Sequence, residues 1–320
     1  KKYVIKIIKK SDKSKTDKII TELGFIKLLN KFPSSKKYVN PCSDFIVLEN
    51  SIIAIFPVLK GNNLDKIYET MKDLNPSERY YFTKIIMKHL LLGLEYIHGK
   101  NISHQNLSEN NIVVYFPTSK NKNTISNNIP HNSNNNTTNN NTTNNNTTNN
   151  SNNIYGKYKN IIDLKFVNFS TGCGDYIPIK DDDVYNKSCK DISMKLSHHG
   201  TISSSEVTKY LNKLSKSANS KSKYFHLAKK KDVRDLGIVF WRLINNDNIN
   251  KYQNNDLTPN DNMYFTRYND YVDYKGNIKM KHLHDYVIKY MLCPMEKRLS
   301  SKRLLQKFVA FDKYQGNDVV

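Results

Sequence analysis

Apolar and polar positions follow two different rhythms along this chain. Before residue 60 the apolar runs are short: KYVIKII (2–8), DFIVLE (44–49) and SIIAIF (51–56). Runs of this length, rich in Ile and Val, predict strands, and a helix is expected between the first two, near 16–31. From Asn75 the spacing becomes helical, with Ile86, Leu90, Leu94 and Ile97 on one face of a helix expected to reach about His98. NPSE (75–78) marks its start, with Asn75 as N-cap, Pro76 in the first turn and Glu78 reaching back. DVRDLGIVFWRLI (232–244) is apolar nearly all round, which predicts a helix inside a core. HDYVIKYMLCPMEKRLSSKRLLQKFVAF predicts two more helices, split at Cys293–Pro294, with Ser300 capping the second. The pattern describes a small mixed lobe followed by a helical one.

Residues 117–158 interrupt it with an Asn- and Thr-rich tract. Such a segment buries too little apolar surface to offset its ordering entropy, so a disordered insertion is expected. It lies between two strand-like runs, NIVVYF (111–116) and IIDLKFV (161–167), and a hairpin between them would tolerate it, because closure entropy grows slowly with loop length. The 320 residues, 38% of them hydrophobic, suit one large domain or two lobes. No apolar run reaches the roughly 18 residues needed to span a bilayer, and no signal-peptide pattern opens the chain. The first residue is Lys1, not Met, so a processed or cropped piece is expected. Cys42, Cys173, Cys189 and Cys293 form no CxxC or zinc-like cluster. They are read as reduced, mostly buried thiols of an intracellular protein, in the cytoplasm or the nucleus.

The formal charge of +21 changes this picture less than its size suggests. Almost all the cations are lysines, and arginine is the residue that reads bases and forks onto phosphates. Nucleic acid is therefore not the expected partner, and a basic adaptor is the third-ranked reading. The basic stretch KLSKSANSKSKYFHLAKKK (213–231) is read as a solvated loop rather than a docking patch.

Several segments carry chemistry by their order. SERYYFTKIIMKHLLLGLEYIHGKNISHQNLSENNIVV is a long helix running into a loop and a strand, and LKFVNFSTG is a strand running into N-F-S. YVIK lies upstream, followed by ELGFIKLL and AIFPVLKGNNL; GTISSSEV (200–207), the Asp232 helix with Gly237, and CPMEKR lie downstream. In this order they resemble the eukaryotic protein kinase superfamily, whose catalytic loop reads H-R-D-L-K-x-x-N and whose metal-binding turn reads D-F-G. The resemblance implies an α+β, two-lobe, kinase-like fold. A partial β-rich N-lobe would occupy 1–58, without a Gly-rich loop. A helical C-lobe would occupy 59–320, with a long activation-segment insertion at about 171–230. It also implies roles. Lys6 would be the strand lysine and Glu22 its helix partner. Phe56 would be the gatekeeper, followed by Val58 in the hinge, and Val113 would lie under the adenine. His104, Phe169 and Ile26, with a residue of the DFIVLE strand, would form the apolar column between the lobes. Asp232 would hold the His104 loop, and Glu206 would pair with Arg298.

The departures fall on the chemistry. Asn106 stands where the resemblance places the Asp that orients the substrate hydroxyl, and an amide takes no proton at useful pH. Ser108 stands in the place of the loop lysine. Asn168 stands in the place of the metal-binding Asp, which leaves Asn111 and Asn168 as neutral Mg²⁺ ligands. Gln105 replaces the arginine that would grip an activation-loop phosphate, and Ser170 replaces the glycine of D-F-G. The expectation is a catalytically impaired pseudokinase that binds protein partners, with at most weak ATP binding that does not depend on Mg²⁺. The alternative is a divergent ATP-dependent serine/threonine kinase using substitute groups, such as Glu109 or the carboxylates of DDD (181–183).

Overall fold

The computed structural model describes residues 2–71, 74–115, 163–170, 172–174, 220–245 and 278–317. The Asn-rich tract, most of the expected activation segment, and with them Glu206 and residues 181–183, lie outside the described residues.

The chain begins with strand β1 (Tyr3–Lys9) and helix α1 (Lys13–Asn30). The helix starts earlier than its apolar pattern suggests because Asp12 caps it, accepting the Lys15 N–H at 3.0 Å. A 3₁₀ turn (Pro33–Lys37) leads to strands β2 (Asp44–Val47) and β3 (Ser51–Pro57). These make an antiparallel sheet in the order β1-β3-β2, with Lys6 opposite Ala54 and Val4 opposite Phe56. One face of β3 (Ile52, Ala54, Phe56) is buried with Ile19, Leu23 and Ile26 of α1 in a small core. Period-two alternation in β3 produces this face.

β4 (Asn62–Asn63) and α2 (Leu64–Met71) lead to the long helix α3 (Pro76–Gly99). Its capping box is complete: Glu78 N–H donates to Asn75 Oδ1 at 2.9 Å, and Asn75 N–H to Glu78 Oε2 at 3.4 Å. The chain continues through β5 (Ile102–Ser103), a 3₁₀ turn (Glu109–Asn111), β6 (Ile112–Tyr115) and β7 (Asp163–Phe166). β6 and β7 pair antiparallel, Ile112 opposite Phe166, across the position of the Asn-rich tract. β8 (Cys173–Gly174) pairs with β5. Helices α4 (Ser220–Ile244), α5 (Ile278–Tyr290) and α6 (Ser301–Asn317) complete the described fold. Leu304 N–H reaches back to the carbonyl of Ser300 at 2.9 Å at the start of α6.

The main core joins α3 (Ile86, Leu90, Leu94), β6 and β7 (Ile112, Val114, Phe166) and α4 (Leu236, Val239, Phe240). Gly93 permits this contact, since a Cβ there would stand 2.8 Å from the Phe166 ring. The result is an α+β fold, with small antiparallel sheets first and packed helices after.

One expectation needs correction. The basic stretch assigned to a solvated loop, and to the insertion as far as residue 230, is helical from Ser220 onward. Phe225, Leu227 and Ala228 are buried and supply its inner face. Lysine stems can line a helix while their ammonium groups stay outside, so a Lys-rich stretch does not exclude a docked helix. Lys229 Nζ lies 4.1 Å from the Phe225 ring.

Candidate functional site

Asp232, near the middle of α4, has no solvent exposure and binds four donors. Its Oδ2 accepts from Ser103 Oγ at 2.6 Å, His104 N–H at 2.7 Å and His98 Nε2 at 3.0 Å; Oδ1 accepts the Gln105 N–H at 2.7 Å. Burial works against its charge, but the hydrogen bonds from His98 and Ser103 hold the carboxyl below its usual range. Burial pushes His98 the other way, toward the neutral ring, whose Nδ1 then accepts from Ser301 Oγ at 3.1 Å. Asp232 thus fixes the backbone of the loop that follows β5.

Gln105 sits at φ +64°, a left-handed conformation that side chains rarely adopt. Asp232 holds its N–H, and Lys231 Nζ donates to its carbonyl at 2.9 Å while also pairing with Asp235. Its side chain turns inward: Nε2 donates to Ser103 Oγ at 2.6 Å and to the Ala228 carbonyl at 2.7 Å. Gln105 therefore ties the loop to α4.

The residues that diverge from the kinase pattern meet at the next turn. Asn111 Nδ2 donates to the Asn106 carbonyl at 2.8 Å and lies 3.4 Å from Ser108 Oγ. Asn168 Nδ2 donates to Asn111 Oδ1 at 3.2 Å. Asn168 is itself at φ +65°, which Asn tolerates better than most residues. The cluster is neutral, and the Asn111 oxygen that could face a cation already accepts an amide proton. Glu109, close in sequence, is turned elsewhere: Arg242 Nη1 reaches both its carboxylate oxygens at 3.0 Å, and Tyr68 O–H donates to it at 3.1 Å. Burial and this carboxylate hold the Tyr68 phenol protonated.

From the small lobe, Lys6 Nζ lies 2.9 Å from Glu22 Oε2 and 5.2 Å from the centre of the Phe56 ring. Glu22 is buried, while Lys6 keeps 38% of its side chain exposed. Val58 is exposed and its N–H donates to the Lys2 carbonyl at 3.1 Å; Val113 is half-buried, opposite Asn63 and Lys165. The His104 ring packs on Phe169 with centroids 4.4 Å apart, and its Nε2–H donates to the Val167 carbonyl at 2.9 Å. Burial lowers the His104 pKa to about 4, so the ring is neutral. Ile26 belongs to the small core of the N-lobe, whereas Phe25 and Leu29 of α1 are buried in the main core with Phe169. Arg298 is buried in the turn before α6, where its Nε donates to the Cys293 carbonyl at 2.9 Å.

The family model of the protein kinase domain matches residues 1–166, more than half of the chain. The chain belongs to the protein kinase family. No curated protein matches it. The matched part of this kinase-family chain contains the Lys6–Glu22 pair, the Asp232-bound loop at 103–106 and Asn111. Reasoning on the sequence missed His98, Ser103, Lys231 and the Glu109–Arg242–Tyr68 cluster. His98 and Asp232 are 134 residues apart, and Glu109 and Arg242 are 133 apart. The one available sequence signal was Arg242 itself, a cation in the otherwise apolar run GIVFWRLI (237–244).

Proposed function

We propose that this kinase-family domain is catalytically impaired and serves as a binding or regulatory scaffold for protein partners. One observation carries the reading. The Asn106 carbonyl and the side chains of Ser108, Asn111 and Asn168 form a neutral hydrogen-bonded cluster where phosphoryl transfer needs a base, a cation and anionic metal ligands. No group in it can accept a proton from a hydroxyl at neutral pH, and losing a general base costs about 10²–10⁴ in rate. These residues do not fit Mg²⁺: all are uncharged, and Asn111 Oδ1 is engaged by Asn168. Lys6, Phe56 and Val113 fit a nucleotide in part, supplying one ammonium group and apolar surfaces. Any ATP binding is therefore weak and indifferent to Mg²⁺.

The Lys6–Glu22 pair favours a second reading, a divergent serine/threonine kinase. That reading needs a replacement base. Glu109 is poorly suited, because its charge is committed to Arg242 and Tyr68. Transfer of labelled phosphate from ATP to mixed peptides, and to the chain itself, separates the two. The expected result is no transfer above background. Turnover that Lys6→Ala abolishes would establish the second reading.

A further inference from the structure

Away from the Asn cluster, one surface gathers cations and rings. From Gly24 to Ser43 the chain has no Asp or Glu but carries Lys27, Lys31, Lys36 and Lys37. The turn at Pro33–Lys37 brings this stretch against the last turn of α3: the Ser34 O–H donates to the Tyr96 hydroxyl oxygen at 3.0 Å, and the Tyr38 and Tyr96 rings lie 5.1 Å apart. Lys100 Nζ stands 4.0 Å from the Phe32 ring centre and 5.8 Å from that of Tyr96, and Lys37 Nζ stands 5.4 Å from Tyr38. Lys165 of β7 donates to the Lys36 carbonyl from the neighbouring edge. Lys31, Lys36 and Lys37 are exposed, and none of them, nor Lys100, is ion-paired with a described carboxylate. Glu95, one turn back on α3, is the carboxylate closest to Lys100 in sequence.

We propose that this Lys31–Lys36–Lys37–Lys100 surface docks an acidic, Asp/Glu-rich segment of a protein partner. Four ammonium groups that no described carboxylate pairs create a positive field, and cation–π contacts hold two of them over rings. Carboxylate side chains are the complementary chemistry, since each ammonium offers a compact point charge rather than a planar fork. Single-stranded nucleic acid suits the surface less well. Its bases would need open ring faces, whereas Phe32 is covered by Lys100 and Tyr38 packs on Tyr96. The patch also has no arginine to read base edges. The proposal does not depend on the cleft, because docking here can occur whether or not phosphate is transferred.

The test is fluorescence anisotropy with a labelled Asp/Glu peptide at low and at physiological salt. Wild type is compared with Lys36→Glu/Lys37→Glu and with Lys13→Glu/Lys18→Glu, an equal charge change at exposed positions on α1. The patch variant should bind about tenfold more weakly and the control within about twofold of wild type. If the patch double variant fails to fold, the single exposed change Lys31→Glu takes its place. Equal losses in both variants would make the attraction a property of the net charge of +21 and overturn the proposal. So would no binding by wild type at low salt. A polyuridine RNA that binds more tightly than the peptide, and loses affinity in the patch variant, would replace the acidic segment with nucleic acid.

Discussion

Replacing Asp232 tests whether one buried carboxylate organises the loop. Asp232→Asn changes little in shape and much in hydrogen bonding. Oδ2 serves three donors (Ser103, His104 N–H and His98) and Oδ1 serves the Gln105 N–H. The best placement of an amide keeps its oxygen at the three-donor position. Its NH₂ group then faces the Gln105 N–H across the former 2.7 Å contact. That leaves a buried donor unsatisfied, at about 1–3 kcal/mol. The three remaining bonds lose their charge assistance, roughly half their strength. The expected cost is about 3 kcal/mol for Asn and about 5 kcal/mol for Ala, which leaves all four donors unpaired. Urea titration should show the midpoint falling in the order wild type, Asn, Ala with little change in m. Hydrogen exchange at the amides of His104 and Gln105 should accelerate in both variants. If Asp232→Asn lies within about 0.5 kcal/mol of wild type, Asp232 is not the anchor described here.

Two further outcomes follow from the same region. His98 and His104 both have folded-state pKa values below the roughly 6.5 of an unfolded histidine, His104 at about 4. Below pH 6.5 the unfolded chain therefore takes up protons that the folded chain refuses, so stability is full above that pH and falls as pH drops toward 4. His104 alone accounts for a loss on the order of 3 kcal/mol by pH 4; His104→Phe should flatten the slope, and urea midpoints that rise on acidification would contradict the assignment. Asn168→Asp, with no divalent cation, sets a carboxylate against Asn111 Oδ1 and should cost about 1 kcal/mol. Mg²⁺ should return part of that stability in a thermal scan, whereas a variant more stable than wild type without metal would show that the amide cluster is not self-satisfied.

What could be read in the sequence was what local chemistry specifies. The capping box at Asn75 involves residues three apart and was legible, as were β1, β2 and β3 as short apolar runs and the pairing of β6 with β7. The start of α4 was not, because its first turns are coded by lysines whose stems, not charges, decide whether a helix can dock. The start of α1 was missed because the Asp12 cap precedes the apolar pattern. In the site, Asn106, Ser108 and Asn168 stood out as departures from a family motif that Asn111 keeps. Their hydrogen-bonded union did not, because a motif gives residue types and not the direction in which an amide points. Gln105 shows this well: read as a missing arginine, it is a tether from the loop to the Ala228 carbonyl.

The arrangement also shows why neutral side chains at these positions leave the fold supported. The loop is held largely through main-chain atoms: the N–H groups of His104 and Gln105 on Asp232, the Gln105 carbonyl on Lys231, and the Asn106 carbonyl on Asn111. The side chains of residues 106, 108 and 168 take little part in that support. Substitution there leaves the scaffold intact, whereas substitution at Asp232 does not. Moreover, two carboxylates near Asn111 without a bound cation would repel each other and leave lone pairs facing lone pairs. Amides at Asn106 and Asn168 remove that repulsion, and Asn168 adds a donor. On the proposed reading, in which metal-dependent chemistry does not constrain these positions, stability favours the neutral set. The same logic does not reach Lys6, which keeps 38% of its side chain exposed and matches the buried Glu22, so losing the lysine would leave that carboxylate buried without its cation whether or not a nucleotide ever binds.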